Sequence, residues 1–118
     1  MDDGRPIFLQ IAEQLESQII DGSMREETQV PSINDLAAFH RINPATALKG
    51  VNLLVDAGIL YKRRGIGMFV AQGARERLIA ARTAAFQDQY VRPLMVQAKA
   101  LGITAEQLTH MIRKEGQQ

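Results

Sequence analysis

Apolar residues recur at helical spacing from the start of the chain. Phe8, Ile11, Leu15 and Ile19 fall on one face, with Leu9, Ala12 and Ile20 beside them, the pattern of an amphipathic helix. Pro6 suits a first turn and Gly22 a position just past the end, so a helix is expected over about residues 6–21. The stretch "SMREETQV" is polar and irregular, and Val30 is placed to join a short strand. Ser32 then offers an N-cap, with Asp35 as an acidic variant of the capping box. Ile33, Leu36, Ala37 and Phe39 supply the apolar surface of this second helix. "HRI" breaks the pattern, and Asn43-Pro44 restarts it as N-cap and first helical residue. Ala47, Val51, Leu54 and Val55 mark the buried stripe of a third helix, which Gly58 ends. "ILYKR" and "GMFVA" read as two short strands around Arg64-Gly65-Ile66.

From residue 74 the composition changes. "ARERLIAARTAAFQDQY" is rich in alanine and lacks glycine, which favours helix. Leu78, Ile79, Ala85, Phe86 and Tyr90 give it an apolar face. Pro93 is expected to kink or break it, after which "LMVQAKAL" resumes. Gly102 is a second stop, and "TAEQ" at 104–107 opens a last helix carrying Leu108, Met111 and Ile112. The expected fold class is mainly α with a small β-hairpin. A winged helix-turn-helix domain occupies residues 1–71, and a short C-terminal helical dimerisation module occupies residues 72–118. That tail is too short to enclose its own core, so its apolar faces require cover. Leu78, Ile79, Phe86, Tyr90, Leu94, Met95, Leu101, Leu108, Met111 and Ile112 are the residues expected to be buried, some on the tail or the winged domain and the rest against a second copy.

Composition narrows the classes. The 118 residues include no cysteine, which removes disulfides and zinc–thiolate sites and fits a reducing cytoplasm. The acidic N-terminus does not read as a signal peptide, and no apolar run approaches the roughly 18 residues of a membrane span. Net charge is only +1, but its distribution is uneven. Residues 1–40 hold two cations against eight acids; residues 41–64 hold Arg41, Lys49, Lys62, Arg63 and Arg64 against Asp56 alone. A polyanion would be met by the middle segment and repelled by the first.

The densest chemistry is "YKRRGIGMFV", residues 61–70. A phosphate-binding GxGxxG follows a strand and opens a helix. Here the glycines precede a strand-like run and the third glycine is missing, so a hairpin tip, where positive φ is needed, explains them better. Directly after a helix-turn-helix, Lys62, Arg63 and Arg64 at such a tip are placed to meet phosphates. No spacing assembles a nucleophile, base and orienter, and neither His40 nor His110 has a metal-binding companion. No enzyme activity, cofactor or metal is expected.

The ordered set "VPSINDLAAFHRINPATALKGVNLLVDAGILYKRRGIGMFV" resembles the GntR family of bacterial winged-helix transcription regulators, with the likeness running from about Pro6 to Val70. The short helical tail is similar to the YtrA-like branch. The resemblance implies a cytoplasmic homodimer on double-stranded DNA, acting as a repressor at an inverted repeat. It places Ser32, Asn43, Thr46 and Lys49 at the DNA, with Arg63, Arg64 and Gly65 at the wing tip. Ala45, Thr46 and Lys49 lie opposite Val51 and Leu54; Lys49 can donate to guanine, and Ala45 or the Thr46 methyl can meet a thymine methyl. This chain departs from the family at Asn34, Pro44 and Leu48, where many relatives are basic. Arg41 replaces the usual glycine of the turn and can reach a phosphate. Asn34 and Arg41 are kept among the DNA-facing candidates. Leu48 fits either a core edge or an apolar contact with a base. The alternative reading is a winged-helix protein-interaction module. A small-molecule effector between two protomers stays open, and nothing in the tail specifies its chemistry.

Overall fold

The computed structural model describes residues 4–117; the acidic Asp2 and Asp3 lie outside them. The elements run α1 (Ile7–Ile20), α2 (Ile33–His40), α3 (Pro44–Asp56), β1 (Leu60–Arg63), β2 (Gly67–Val70), α4 (Ala74–Phe86), a π turn (Gln87–Val91), α5 (Arg92–Ala100) and α6 (Ala105–Gly116). The fold is mainly helical with one two-stranded antiparallel hairpin. The chain divides into two compact units, Met1–Ile79 and Ala80–Gln118, with the division inside α4.

In the first unit α1 buries Ile11, Leu15 and Ile19 on one face, against Leu36 and Ala37 of α2 and Ala47, Val51 and Leu54 of α3. Ile59, Leu60 and Val70 close this core from the hairpin side, and Ala74 and Leu78 complete it from α4. Each fully buried aliphatic side chain of this kind contributes roughly 1.5–3 kcal/mol. Helices α1 and α3 cross at Gly50. A Cβ built there would stand 2.7 Å from the Phe8 carbonyl oxygen and 3.2 Å from Ile11 Cβ. Phe39 does not join the core. It is 78% exposed, with its ring edge-on to His40 at 4.9 Å.

Local chemistry sets the helix ends. The Ser32 hydroxyl accepts from the Asp35 N–H at 3.0 Å, and Asn43 Oδ1 accepts from the Ala45 N–H at 2.7 Å. Helix α3 ends in a Schellman motif: Ile59 N–H donates to the Leu54 carbonyl and Gly58 N–H to that of Val55, with Gly58 at φ 75°. Helix α2 ends in the same way, with Ile42 bonding to Ala37 and Arg41 to Ala38, but Arg41 holds the left-handed position at φ 56°.

Helix α4 is tied to the first unit at its start. Glu26 accepts the Gly73 N–H at 2.9 Å and the Arg75 N–H at 3.1 Å. Arg75 Nε in turn donates to the Ile20 carbonyl, and Arg77 to that of Gly58. The two backbone bonds, first that of Gly73, hold the Glu26 carboxyl below its ordinary value of 4.5. A lowered folded-state pKa stabilises fully above the ordinary value and is lost as pH falls through the lower one. The stability gap between wild type and Glu26→Gln, from urea midpoints, is therefore expected to shrink as pH drops below about 4.5. A gap constant with pH would remove Glu26 from the acid response.

In the second unit the regular α-helix is interrupted just before Pro93. The five residues before α5 widen into the π turn, closed by the Arg92 N–H on the Gln87 carbonyl. Proline cannot donate a backbone bond and crowds the carbonyl four residues back; one wider turn accommodates both effects within a continuing helical path. Asp88 and Arg92 pair across it at 2.9 Å. Gly102, at φ 72°, ends α5, and Thr104 and Gln107 form the reciprocal capping box that opens α6. Ala98 and Leu108 are buried where α5 and α6 meet.

Candidate nucleic-acid interface

Two elements of the first unit project the residues singled out in the sequence. Helix α3 buries Ala47, Gly50, Val51 and Leu54, and its opposite side presents Ala45, Leu48, Lys49 and Asn52 to solvent. Asn43 and Pro44 are exposed at its start, whereas Thr46 sits at the edge and is half-buried. Lys49 does not extend straight outward. Its Nζ lies 4.1 Å from the centroid of the Phe8 ring on α1, a cation–π contact. Ser32, Asn34 and Arg41 are exposed on and beside α2.

The second element is the wing. Leu60 pairs with Val70, Tyr61 with Phe69, Lys62 with Met68 and Arg63 with Gly67. The Ile66 N–H returns to the Arg63 carbonyl at 3.0 Å, and Gly65 turns the chain at φ 75°. Lys62, Arg63 and Arg64 are all exposed. The Arg63 guanidinium stands 4.9 Å from the Phe69 ring centroid, and Tyr61 stacks on the same ring at 5.9 Å. The Tyr61 hydroxyl donates to Glu27 at 2.7 Å, and that bond raises its pKa above the usual phenol value.

Sequence reasoning misses the residues that hold these two elements in place. Gln29 donates from Nε2 to the Ile66 carbonyl at the wing tip, 2.9 Å away, across 37 positions of sequence. A Cβ at Gly67 would fall 2.6 Å from that same nitrogen. No periodicity announces such a long-range polar pairing. Phe8, expected only to pack in the core, also carries Lys49. Leu48, which the sequence leaves between core edge and base contact, is 41% exposed.

The candidate dimerisation residues separate into two groups. Leu78 lies in the core of the first unit and Leu108 is buried in the second, whereas Ile79, Phe86, Tyr90, Leu94, Met95, Leu101, Met111 and Ile112 are exposed. Among the described residues no helix is long and apolar enough to cross a membrane.

A helix-turn-helix followed by a cationic wing is the architecture of a DNA-binding winged-helix regulator. The sequence model of bacterial regulatory proteins of the gntR family matches residues 8–70, and the chain belongs to that family. Over 109 residues it is 28% identical to the HTH-type transcriptional repressor YtrA of Bacillus subtilis, covering 92% of this chain and 83% of that protein. A GntR-family transcriptional regulator from Bacteroides thetaiotaomicron superposes with a TM-score of 0.80 at 31% identity, over 94% of this chain and 96% of that one. The DNA-binding domain of AraR in complex with operator ORR3 matches 54% of this chain and 77% of its own at 31% identity, with a TM-score of 0.53. Within the family the chain falls in the YtrA-like branch. It is a regulator that binds double-stranded DNA, not an enzyme.

The turn before α3 gives a testable trade-off. Arg41 occupies the left-handed position that Gly58 fills after α3, and that conformation costs a side-chain-bearing residue about 1–2 kcal/mol. Arg41→Gly is expected to raise stability by about 1 kcal/mol while weakening DNA binding uniformly across sequences. Denaturation and titration of the same variant check both halves. Unchanged DNA affinity would take Arg41 out of the interface.

Proposed function

We propose that this chain is a cytoplasmic repressor that binds an inverted-repeat operator as a homodimer, with residues 1–71 contacting DNA and residues 72–118 joining the protomers. The observation that carries the dimer is the run of exposed apolar side chains on the second unit, from Phe86 through Leu94 and Leu101 to Ile112. The repressor reading is supported by the named activities of the relatives, YtrA among them. Ser32, Asn34 and Arg41 would approach phosphates, while Asn43, Ala45, Thr46 and Lys49 would face or flank the bases. Arg63, Arg64 and Gly65 would track the backbone or minor groove. A small-molecule effector would sit between the two protomers, lined by the tail.

Selection from a random DNA pool tests this reading. The enriched site should be an inverted repeat with half-sites about 10–10.5 base pairs apart, centre to centre, or a multiple of that. Arg63→Ala with Arg64→Ala should weaken binding to every sequence and flatten the salt dependence by about 0.9 for each phosphate no longer neutralised. An unchanged slope would show that the wing does not touch the DNA. Selection that enriches no sequence would favour a protein-interaction module.

A further inference from the structure

The exposed side of α3 has an unusual chemistry for a helix that reads DNA. Its outward residues nearest the N-terminus are Pro44, Ala45 and Leu48, all apolar and all exposed. Asn43 Oδ1 is already committed to the Ala45 N–H. Lys49, the one cation in the α3 sequence, is held over the Phe8 ring. The surface that meets base edges therefore lacks a forked cationic donor for guanine O6 and N7 and instead offers methyl and methylene groups. Among the major-groove edges of the four bases, only thymine presents a methyl group.

We propose that α3 recognises its site chiefly through thymine C5-methyl groups packed against Pro44, Ala45 and Leu48, so that the operator half-site carries thymines at the positions α3 faces. This rests on the DNA-regulator reading above and specifies its ligand. The cations surround this surface without supplying its selectivity. Arg41, Arg63 and Arg64 bind charge, which every sequence carries equally. Lys49, drawn over the Phe8 ring, flanks this surface and is not its centre. Leu48 is the central reader, because it lies one helical turn beyond Ala45 on the same side and is 41% exposed in the free protein.

Uracil isolates the claim. It keeps every hydrogen-bonding edge of thymine and lacks only the methyl group. The full-length protein is titrated with its selected duplex and with copies in which single thymines of the half-site are replaced by deoxyuridine. Each replacement opposite α3 is expected to weaken binding about fourfold, the worth of one buried methyl-sized group. The penalty should vanish at one position in Leu48→Ala and persist in Lys49→Ala. Leu48→Arg should move the selected base at that position towards guanine.

Two results overturn the proposal while leaving the regulator reading intact. One is a selected site bound within about twofold of its original affinity after all its thymines become uracil, less than one buried methyl group is worth. The other is a half-site whose binding depends on guanine N7, lost on 7-deazaguanine substitution and abolished by Lys49→Ala. A pool that enriches no sequence at all would overturn both readings together.

Discussion

Gly50→Ala is expected to lower the stability of the winged unit by about 1–3 kcal/mol, and Gly50→Val to abolish its cooperative folding. The expectation runs against local propensity. Glycine in a helix interior is about 1 kcal/mol worse than alanine, so alanine should help wherever space allows. At Gly50 it does not, because the new Cβ would meet a backbone carbonyl oxygen at 2.7 Å and Ile11 Cβ at 3.2 Å. A carbonyl within α1 cannot swing aside, so α1 and α3 must separate. Separation loosens Ile11, Val51 and Leu54 together, all of them at most 3% exposed. Asn52→Ala, on the exposed side of the same helix, is the control and should be neutral or slightly stabilising. Thermal melts of the three variants decide the matter. If Gly50→Ala melts at or above wild type, the crossing is softer than its distances imply.

The second large effect concerns assembly. Phe86→Asp with Leu94→Asp is expected to yield a folded monomer of 13.1 kDa whose affinity for the paired operator is lower by about 10²–10⁴. Both side chains are exposed, 55% and 41%, so the substitutions leave the core of each unit alone. Two winged domains held together bind the second half-site at high effective concentration, whereas a single domain must find each half-site independently. Binding to an isolated half-site should barely change, which separates lost assembly from lost folding. Sedimentation of the wild type at micromolar concentration comes first. A 13.1 kDa species, alone and on DNA, would end the dimer reading.

The first seventy residues are legible in the sequence because their signals are local. Ser32, Asn43-Pro44 and Gly58 each mark a helix end within one turn of itself, and Ala47, Val51 and Leu54 repeat with the helical period. The tail is legible in its elements and less so in its phase. The π turn adds a residue without advancing the helix, which rotates everything beyond it by about 100° relative to a regular repeat. A face read straight through from Phe86 to Leu101 therefore drifts. In the candidate interface the residue types are visible in the sequence and their orientations are not. Helical spacing puts Lys49 on the outer side of α3, but only the fold brings Phe8 beneath it. Spacing from Leu36 assigns Phe39 to the core; α2 ends one residue later, before anything packs over it.

The wing is anchored at its root and lightly supported at its tip. Val70 gives its N–H to Thr28 and its carbonyl to the Glu27 N–H, and Val30 donates to Met68, so residues 27–30 act as a third edge for the hairpin. Towards the tip this edge reaches the hairpin through Gln29 on Ile66. A two-stranded hairpin is marginal by itself, so the two ends should open at different free energies. In hydrogen exchange, the Val30 and Val70 amides would wait for unfolding of the whole unit, while those of Arg64 and Gly65 would exchange through small local openings. The tip can therefore adjust to a groove of varying width without loosening its anchorage, and a residue inserted between Arg64 and Ile66 would be tolerated where one inserted between Phe69 and Val70 would not.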